Sequence, residues 1–241
     1  MRPIVRGPSP ADAEGKTMVF THYQQARKAL IQRLGEFCSY CEMHLDASLA
    51  VEHVQPKQPP GASQPIPERA LSWDNFLLAC TNCNSTKGDT EVGLTDYLWP
   101  DRDNTFMALV YSEGGRVSAA SGPQQAQAIK IIELVGLHKT PDTAEASDRR
   151  WLNRREAWEI AQESLRDLIG CNTPEMRRQI VRTVKSSGYW SVWMTVFKDQ
   201  PEMLRELLAA LPGTDAACFD PDQQYRPVPR SSNAAVRKFG I

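Results

Sequence analysis

Two short cysteine motifs frame the most informative stretch of the chain: CSYCE at residues 38–42 and ACTNCN at residues 79–84. Between them, AVEHVQPK at residues 50–57 places a glutamate beside a histidine. Each cysteine motif has the CxxC spacing with which a tight turn presents two thiolates to one zinc ion. The pattern therefore predicts a closed, structural zinc site with four ligands: Cys38, Cys41, Cys80 and Cys83.

The competing interpretation of these cysteines is four buried free thiols. It requires two CxxC pairs without a ligand in a chain that has only six cysteines. A zinc site explains the spacing directly, and it also supplies the stability that a small unit of two strands and a helix lacks. Because four thiolates leave no open coordination position, the predicted zinc holds the fold and takes no part in chemistry.

The composition is that of a globular protein able to bury a sizeable core. The chain has 241 residues, of which 41% are hydrophobic and 24% charged. No apolar run reaches the 18 or so residues of a membrane-spanning helix, and the first ten residues lack the apolar core of a signal peptide. We therefore expect a cytoplasmic protein, whose cysteines are metal ligands or free thiols rather than disulfides.

The net charge of -1 is unusual for a protein that binds nucleic acid alone, because phosphate contacts normally require a basic excess. Residues 1–115 hold 10 basic and 14 acidic side chains, whereas residues 116–241 hold 18 and 15. We expect either that the basic residues cluster on one face or that a partner supplies part of the contacts with the nucleic acid.

The elements around the cysteines are predicted to be short. We expect an extended, solvated arm over residues 1–18, a helix over 21–37, a strand over 49–54, a mobile proline-rich loop over 55–70, a second strand or turn over 73–80, a short helix from residue 84 to about 91, and a hairpin over 105–118. These elements make up a predicted first domain, residues 1–115.

The remainder, residues 116–241, is predicted to be a helical domain that docks a partner or nucleic acid. We expect helices over residues 123–137, 143–169, 173–186, 190–199 and 201–211, separated by glycine and proline. One set of side chains is basic, and is interpreted as a solvated face or as a nucleic-acid or partner surface: Arg149, Arg150, Arg154, Arg155, Arg177, Arg178 and Arg182. Another set is apolar at helical spacing, and is interpreted as core or as a docking face: Trp190, Trp193, Met194, Phe197, Leu204, Leu207 and Leu208.

Three polar residues between and beside the cysteines are candidates for chemistry. Glu52 is a hard oxygen ligand of the kind that Mg²⁺ or Mn²⁺ prefers, and Asn84 offers a second oxygen. His53 titrates near neutral pH and is able to accept a proton from water. Taken singly, each also has a structural interpretation: an exposed carboxylate, a helix cap and a partly buried histidine.

Taken together, CxxC, EHVxPK and WxNFLLxCxxCN resemble the motifs of the HNH (ββα-metal) endonucleases, in particular those with zinc knuckles. The resemblance implies an α+β fold with a zinc-stapled ββα-metal core, an N-terminal helix and a mainly α-helical C-terminal half. It implies that His53 is the general base, and that Glu52 and Asn84 bind one catalytic divalent cation, Mg²⁺ or Mn²⁺. Asn75 would position the loop that carries the histidine.

The match departs from the commoner HNH pattern at two positions. Asn84 stands where a histidine is more usual, and Glu52 stands where an aspartate is more usual. Both variants fit the subgroup that includes phage junction resolvases, and they leave the choice of metal open. Two lysines that flank the site, Lys57 and Lys87, are candidate phosphate contacts or solvated side chains.

A longer set of motifs over residues 1–137 resembles the nuclease subunits, PtuB, of the Septu anti-phage defence systems. The set includes MRPIxRG, LGxFCSYCE, NFLLACxNCNSxKGD and WPDxDNTFxAxxY. The resemblance implies a nucleic-acid substrate, with DNA favoured over RNA, and an ABC/SMC-like ATPase partner resembling PtuA. The competing hypothesis is a zinc-binding adaptor that recruits the ATPase or nucleic acid without cutting. Such an adaptor needs the four cysteines but not Glu52, His53 and Asn84.

Overall fold

Short antiparallel strand pairs are surrounded by helices in the structure, a computed structural model that describes residues 1–140 and 148–231. The strands are β1 (Ala50–His53), β2 (Phe76–Ala79), β3 (Leu109–Ser112), β4 (Arg116–Ala119), β5 (Phe219–Asp220) and β6 (Arg226–Pro227). They pair as β1–β2, β3–β4 and β5–β6, each antiparallel.

Among the described residues, the two longest helices lie in the C-terminal half. The helices are α1 (Arg27–Leu34), α2 (Pro67–Ala70), α3 (Thr81–Lys87), α4 (Thr105–Ala108), α5 (Gln125–Leu134), α6 (Arg150–Gly170), α7 (Pro174–Ser187), α8 (Trp190–Val196) and α9 (Pro201–Ala210). A 3-10 turn, Tyr23–Ala26, leads directly into α1. Within the described residues, no helix has both the length and the apolar character needed to cross a membrane.

The predicted α+β fold with a ββα core is confirmed. In the core, His53 of β1 pairs with Phe76 of β2, and α3 follows β2 after a single residue, Cys80. Helix α3 begins at Thr81, earlier than residue 84. The reason is that Cys80 serves as its N-cap and accepts a hydrogen bond from the backbone N–H of Cys83 at 3.4 Å. The second cysteine motif therefore forms the first turn of the helix.

Residues 1–6 do not belong to the solvated arm expected over residues 1–18. Met1 and Ile4 are buried, and the Arg2 guanidinium donates hydrogen bonds of 2.8 Å to the carbonyls of Leu34 and Pro212. These bonds satisfy a buried cation and tie the start of the chain to both α1 and the end of α9. The first six residues are therefore part of the core, whereas residues 11–17 are exposed as expected.

The proline-rich loop over residues 55–70 is more ordered than expected. Its last four residues form α2, and the Ile66 N–H donates to the Lys57 carbonyl at 2.7 Å, which closes the base of the loop. Pro67 occupies the first turn of α2, where its missing N–H removes no helical bond.

The expected domain boundary between residues 115 and 116 also needs correction, because it falls inside the β3–β4 hairpin. Gly115, at φ +71°, lies so close to α6 that an added Cβ would come within 2.2 Å of the Trp151 carbonyl oxygen. One cluster of buried apolar side chains spans both halves of the described chain. The hairpin and α6 therefore pack as one unit across the expected boundary.

Helix α6 begins at Arg150, whereas residues 143–147 of the predicted helix, and the tail after residue 231, lie outside the described residues. The apolar residues of α8 and α9 are buried, which makes them core and removes them as a docking face. Arg150 and Arg154 are also buried, contrary to the expectation of a solvated or binding face.

Glu42, directly after the first CxxC, fastens that motif to α8. Its carboxylate accepts hydrogen bonds from the Ser191 N–H at 2.7 Å and from the Ser191 hydroxyl at 2.5 Å, and it lies 3.3 Å from the Met1 ammonium. Its backbone carbonyl accepts from the Tyr189 N–H. One buried carboxylate thus joins three distant parts of the chain.

We expect Glu42→Ala to lower the free energy of unfolding by about 3 kcal/mol, because it leaves the buried hydroxyl and backbone N–H of Ser191 without their acceptor. Denaturant titration measures the change. Glu68→Ala is the control, since Glu68 is exposed on α2. An equal effect of the two substitutions would contradict the role given to Glu42.

Candidate functional site

The four predicted zinc ligands lie together and are buried. The sulfur atoms of Cys38, Cys41, Cys80 and Cys83 all lie within 4.8 Å of one another, and those of Cys41 and Cys80 are 3.7 Å apart. Tetrahedral zinc with bonds of about 2.3 Å would separate its sulfur ligands by about 3.8 Å. The number, kind and spacing of the donors therefore fit a structural zinc ion.

The surroundings of these thiols explain why a cation is needed. Burial raises the pKa of Cys83 well above its usual value, and hydrogen bonds from the neighbouring thiols, Cys38 first, raise that of Cys41. Four thiolates without a counterion would repel one another in a medium of low dielectric constant. Zinc coordination removes this cost, since the metal binds the deprotonated form of each cysteine.

Arg150 is a residue of this site that the sequence analysis missed. Its Nη1 donates to the Cys83 sulfur at 2.8 Å and to the Val135 carbonyl at 2.7 Å, and its Nη2 donates to the Gly136 carbonyl at 3.2 Å. Burial alone would lower the pKa of Arg150, but Asp148 and the neighbouring thiol of Cys83 raise it overall. A charged guanidinium therefore faces a zinc ligand from the helical half.

His53 ends β1 in an aromatic and largely buried setting. Its ring contacts those of Tyr23 and Phe76 edge-on, at centroid distances of 4.9 and 5.2 Å. Its Nε2 lies 3.1 Å from the Ala70 carbonyl. Because a carbonyl only accepts, Nε2 must carry the proton, which leaves Nδ1 with a free lone pair. Burial lowers the pKa of His53, so the ring is neutral near pH 7 and able to accept a proton.

Glu52 points to the opposite face of β1, toward α3, as strand alternation requires. Its Oε1 lies 2.8 Å from Lys87 Nζ, and both side chains are buried. Burial raises the pKa of Glu52, and the Lys87 charge partly offsets this rise. Lys87 also donates to the His53 carbonyl at 2.8 Å.

This geometry corrects the expectation that Lys87 contacts a phosphate, because only 1% of the side chain is exposed. Lys87 is instead the buried counterion of Glu52. Lys57 stays at the surface: it is half-buried, and its Nζ lies 4.5 Å from the centre of the Tyr23 ring.

Asn84 lies one turn before Lys87 on α3, which places it on nearly the same face of the helix as the lysine that pairs with Glu52. The Asn84 side chain is half-buried and forms no hydrogen bond within the part of the chain that the structure describes. Its amide oxygen is therefore available to a ligand.

Asn75 closes the loop that separates the two strands. Its side-chain amide donates to the carbonyls of Gln55 and Arg69 at 2.8 and 2.9 Å, and its Oδ1 accepts from the Gln55 N–H at 2.8 Å. Arg69 forms a bidentate pair with Glu91, at 2.7 and 2.9 Å. These bonds hold α2, and with it the Ala70 carbonyl, against His53.

Residues 38–90 match the family model described as HNH endonuclease. This segment contains the four cysteines, both strands of the ββα unit, α3 and the residues around His53. The match supports the HNH family for this segment and a metal-dependent nuclease as its class. The search of curated proteins gave no match to the chain.

Replacement of Arg150 tests its contact with the sulfur cluster. We expect Arg150→Gln to weaken zinc binding about 10- to 100-fold, because the variant loses a charged donor to a ligand sulfur. Competition with a chromogenic chelator measures the affinity. Arg149→Gln is the matched control, since Arg149 is adjacent but exposed. Equal zinc affinity in the two variants would sink the assignment.

The Glu52–Lys87 pair is tested by a double-mutant cycle. We expect Lys87→Met to destabilise the fold by about 3–5 kcal/mol, because it leaves a buried carboxylate unpaired. Adding Glu52→Gln should recover much of the loss, since the charge is then removed as well. If thermal unfolding shows Lys87→Met to be as stable as the parent, Lys87 does not serve as a buried counterion.

Proposed function

We propose that this chain, whose residues 38–90 carry an HNH endonuclease domain, hydrolyses phosphodiester bonds in nucleic acid with a divalent cation. The observation that supports it most is the state of His53. A neutral imidazole, with Nε2 fixed by a carbonyl and Nδ1 unprotonated, directly follows a buried carboxylate in the sequence, on a strand that the cysteine cluster adjoins.

In this proposal, Nδ1 of His53 accepts the proton of the attacking water. The Ala70 carbonyl keeps the ring in the required tautomer, and Asn75 keeps the segment that carries this carbonyl in register. Removal of water from the ring by Tyr23 and Phe76 favours the neutral base. Lys57, near the same edge, contacts the substrate phosphate.

Glu52 and Asn84 are the proposed ligands of the catalytic Mg²⁺ or Mn²⁺. Glu52 Oε1 is buried, and no described residue donates to it in hydrogen-bonding geometry, although Lys87 Nζ lies near. Such a carboxylate oxygen and the free amide of Asn84 are donors that these hard cations prefer. When bound there, the cation would stabilise the charge that develops on the phosphate and the leaving oxygen.

We further propose that the nuclease is the effector of an anti-phage complex with an ABC/SMC-like ATPase, as in the Septu systems. Charge supports a partner of this kind. Three arginines of the helical half pair with glutamates, namely Arg155 with Glu159, Arg177 with Glu202 and Arg178 with Glu175. With these charges paired and a net charge of -1 for the whole chain, no strong basic excess remains for binding nucleic acid, although Arg182 and Lys185 of the helical half stay exposed.

One observation favours the zinc-binding adaptor as a second candidate. The proposed metal ligand Glu52 is already neutralised by Lys87 inside the fold, and a cation must share or displace this partner. An adaptor, in contrast, uses only the cysteine cluster and leaves the buried pair intact.

Cleavage by a histidine variant separates the two candidates. With Mg²⁺ or Mn²⁺ and a co-purified ATPase of the ABC/SMC class, we expect His53→Ala to cut DNA at least about 100-fold more slowly than the parent, because it lacks the general base. His138→Ala is the control, since His138 is an exposed histidine outside the site. A panel of DNA and RNA substrates identifies the preferred polymer.

The enzyme hypothesis fails if the parent and His53→Ala cut equally, which would point to a contaminating nuclease. It also fails if the zinc-loaded parent cuts no substrate with its partner present, which is the result expected of an adaptor.

A further inference from the structure

We propose that the helical segment at residues 23–34 forms the groove that grips the phosphate backbone of the substrate. The inference rests on the proposed nuclease function and adds to it a binding surface outside the matched HNH segment. The occupant is a nucleic-acid strand, and the recognised chemistry is its row of phosphates.

The composition of this segment is one-sided. Its sequence, YQQARKALIQRL, has three basic residues and no acidic residue, although residues 1–115 as a whole carry an acidic excess. One exposed face of it borders a shallow, open groove of about 540 Å³, and the residues that line it are Gln24, Gln25, Arg27, Lys28, Ile31 and Gln32. A surface with two cations and three amides, and without a carboxylate, is complementary to an anionic strand.

The two cations in the groove are free. Arg27 and Lys28 are exposed, and neither forms an ion pair with any residue in the described ranges. The third basic residue behaves differently: Arg33 donates to the Arg6 carbonyl at 3.0 Å and stacks on Trp73 at 5.0 Å. Arg33 therefore belongs to the fold, whereas Arg27 and Lys28 remain available to phosphate.

The groove adjoins the candidate active site. Tyr23 contacts the His53 ring at 4.9 Å on one side and Lys57 Nζ at 4.5 Å on the other. Gln24, the first residue of the groove, follows Tyr23 directly, and Arg27 lies one helical turn further on the same face as Tyr23. A strand whose scissile phosphate reaches His53 would run past Lys57 and Tyr23 and place its next phosphates along α1.

The competing basic surface is on α7. Arg182 and Lys185 are exposed there, one turn apart, and like Arg27 and Lys28 they pair with no acidic residue in the described part of the chain. This pair matches the groove pair in charge, exposure and helical setting, but it lies in the C-terminal half. It therefore provides a control that differs mainly in position.

The test measures binding separately from cleavage. In a His53→Ala background with EDTA-free, metal-free buffer, a fluorescein-labelled 30-nucleotide DNA, its duplex and an RNA of the same sequence are titrated at several salt concentrations. We expect Arg27→Ala with Lys28→Ala to weaken binding at least about tenfold at 0.1 M salt. The slope of log K against log salt should fall by about 1.4 to 1.8, the value for two lost phosphate contacts.

Circular dichroism checks that both double variants are folded, which alanine at exposed helical positions favours. The control, Arg182→Ala with Lys185→Ala, should keep the parent slope. The groove assignment is wrong if the groove variant binds the probes like the parent, or if the α7 variant loses affinity instead. The nuclease proposal stands in either case. If the parent protein alone binds none of the three probes, the groove assignment also fails, while the nuclease proposal is decided separately by the cleavage test with the partner present.

Discussion

The guanidinium of Arg150 links the four-cysteine cluster to the helical half of the chain. The charge balance of the cluster and the position of the helical half therefore both depend on this one side chain. It donates to the Cys83 sulfur and to the backbone at the end of α5, and it starts α6. A zinc ion with four thiolates carries a net negative charge, which a buried cation offsets. The metal site therefore does more than stabilise a small ββα unit: it gives α6 a fixed point of attachment.

Buried charges recur where distant segments meet. Glu42 joins the first cysteine motif to Ser191 of α8, and Glu52 joins β1 to Lys87 of α3. Each charge costs free energy to desolvate, and each is acceptable only in the one arrangement that provides its partner. These contacts favour a single tertiary packing of the short strands and helices, which by themselves would not determine how they pack. They also explain how β1, which carries Glu52 and His53, is held in place without a large sheet.

The sequence predicted the cysteine cluster, the ββα unit and most helix positions, because CxxC spacing and helical periodicity are local signals. It did not predict the burial of Arg2, Lys87, Arg150 and Arg154. A basic side chain is normally solvated, and only its three-dimensional partners show otherwise. The false domain boundary at residue 115 has a similar origin, since the glycine turn is local but its packing on α6 is not. The proposed roles of Glu52 and Asn84 as metal ligands and of His53 as general base came from the resemblance to HNH motifs. The spacing of these residues alone did not distinguish such roles from purely structural ones.

The loop between β1 and β2 is closed twice at its base, by Asn75 and by the Lys57–Ile66 backbone bond. Residues 58–65 therefore form a loop whose two ends are already held together by hydrogen bonds. Doubling the length of such a loop costs only about 0.6 kcal/mol of closure entropy. Insertions there would leave the imidazole and its carbonyl support in place. This segment is thus where added residues are tolerated without disturbing the proposed catalytic geometry.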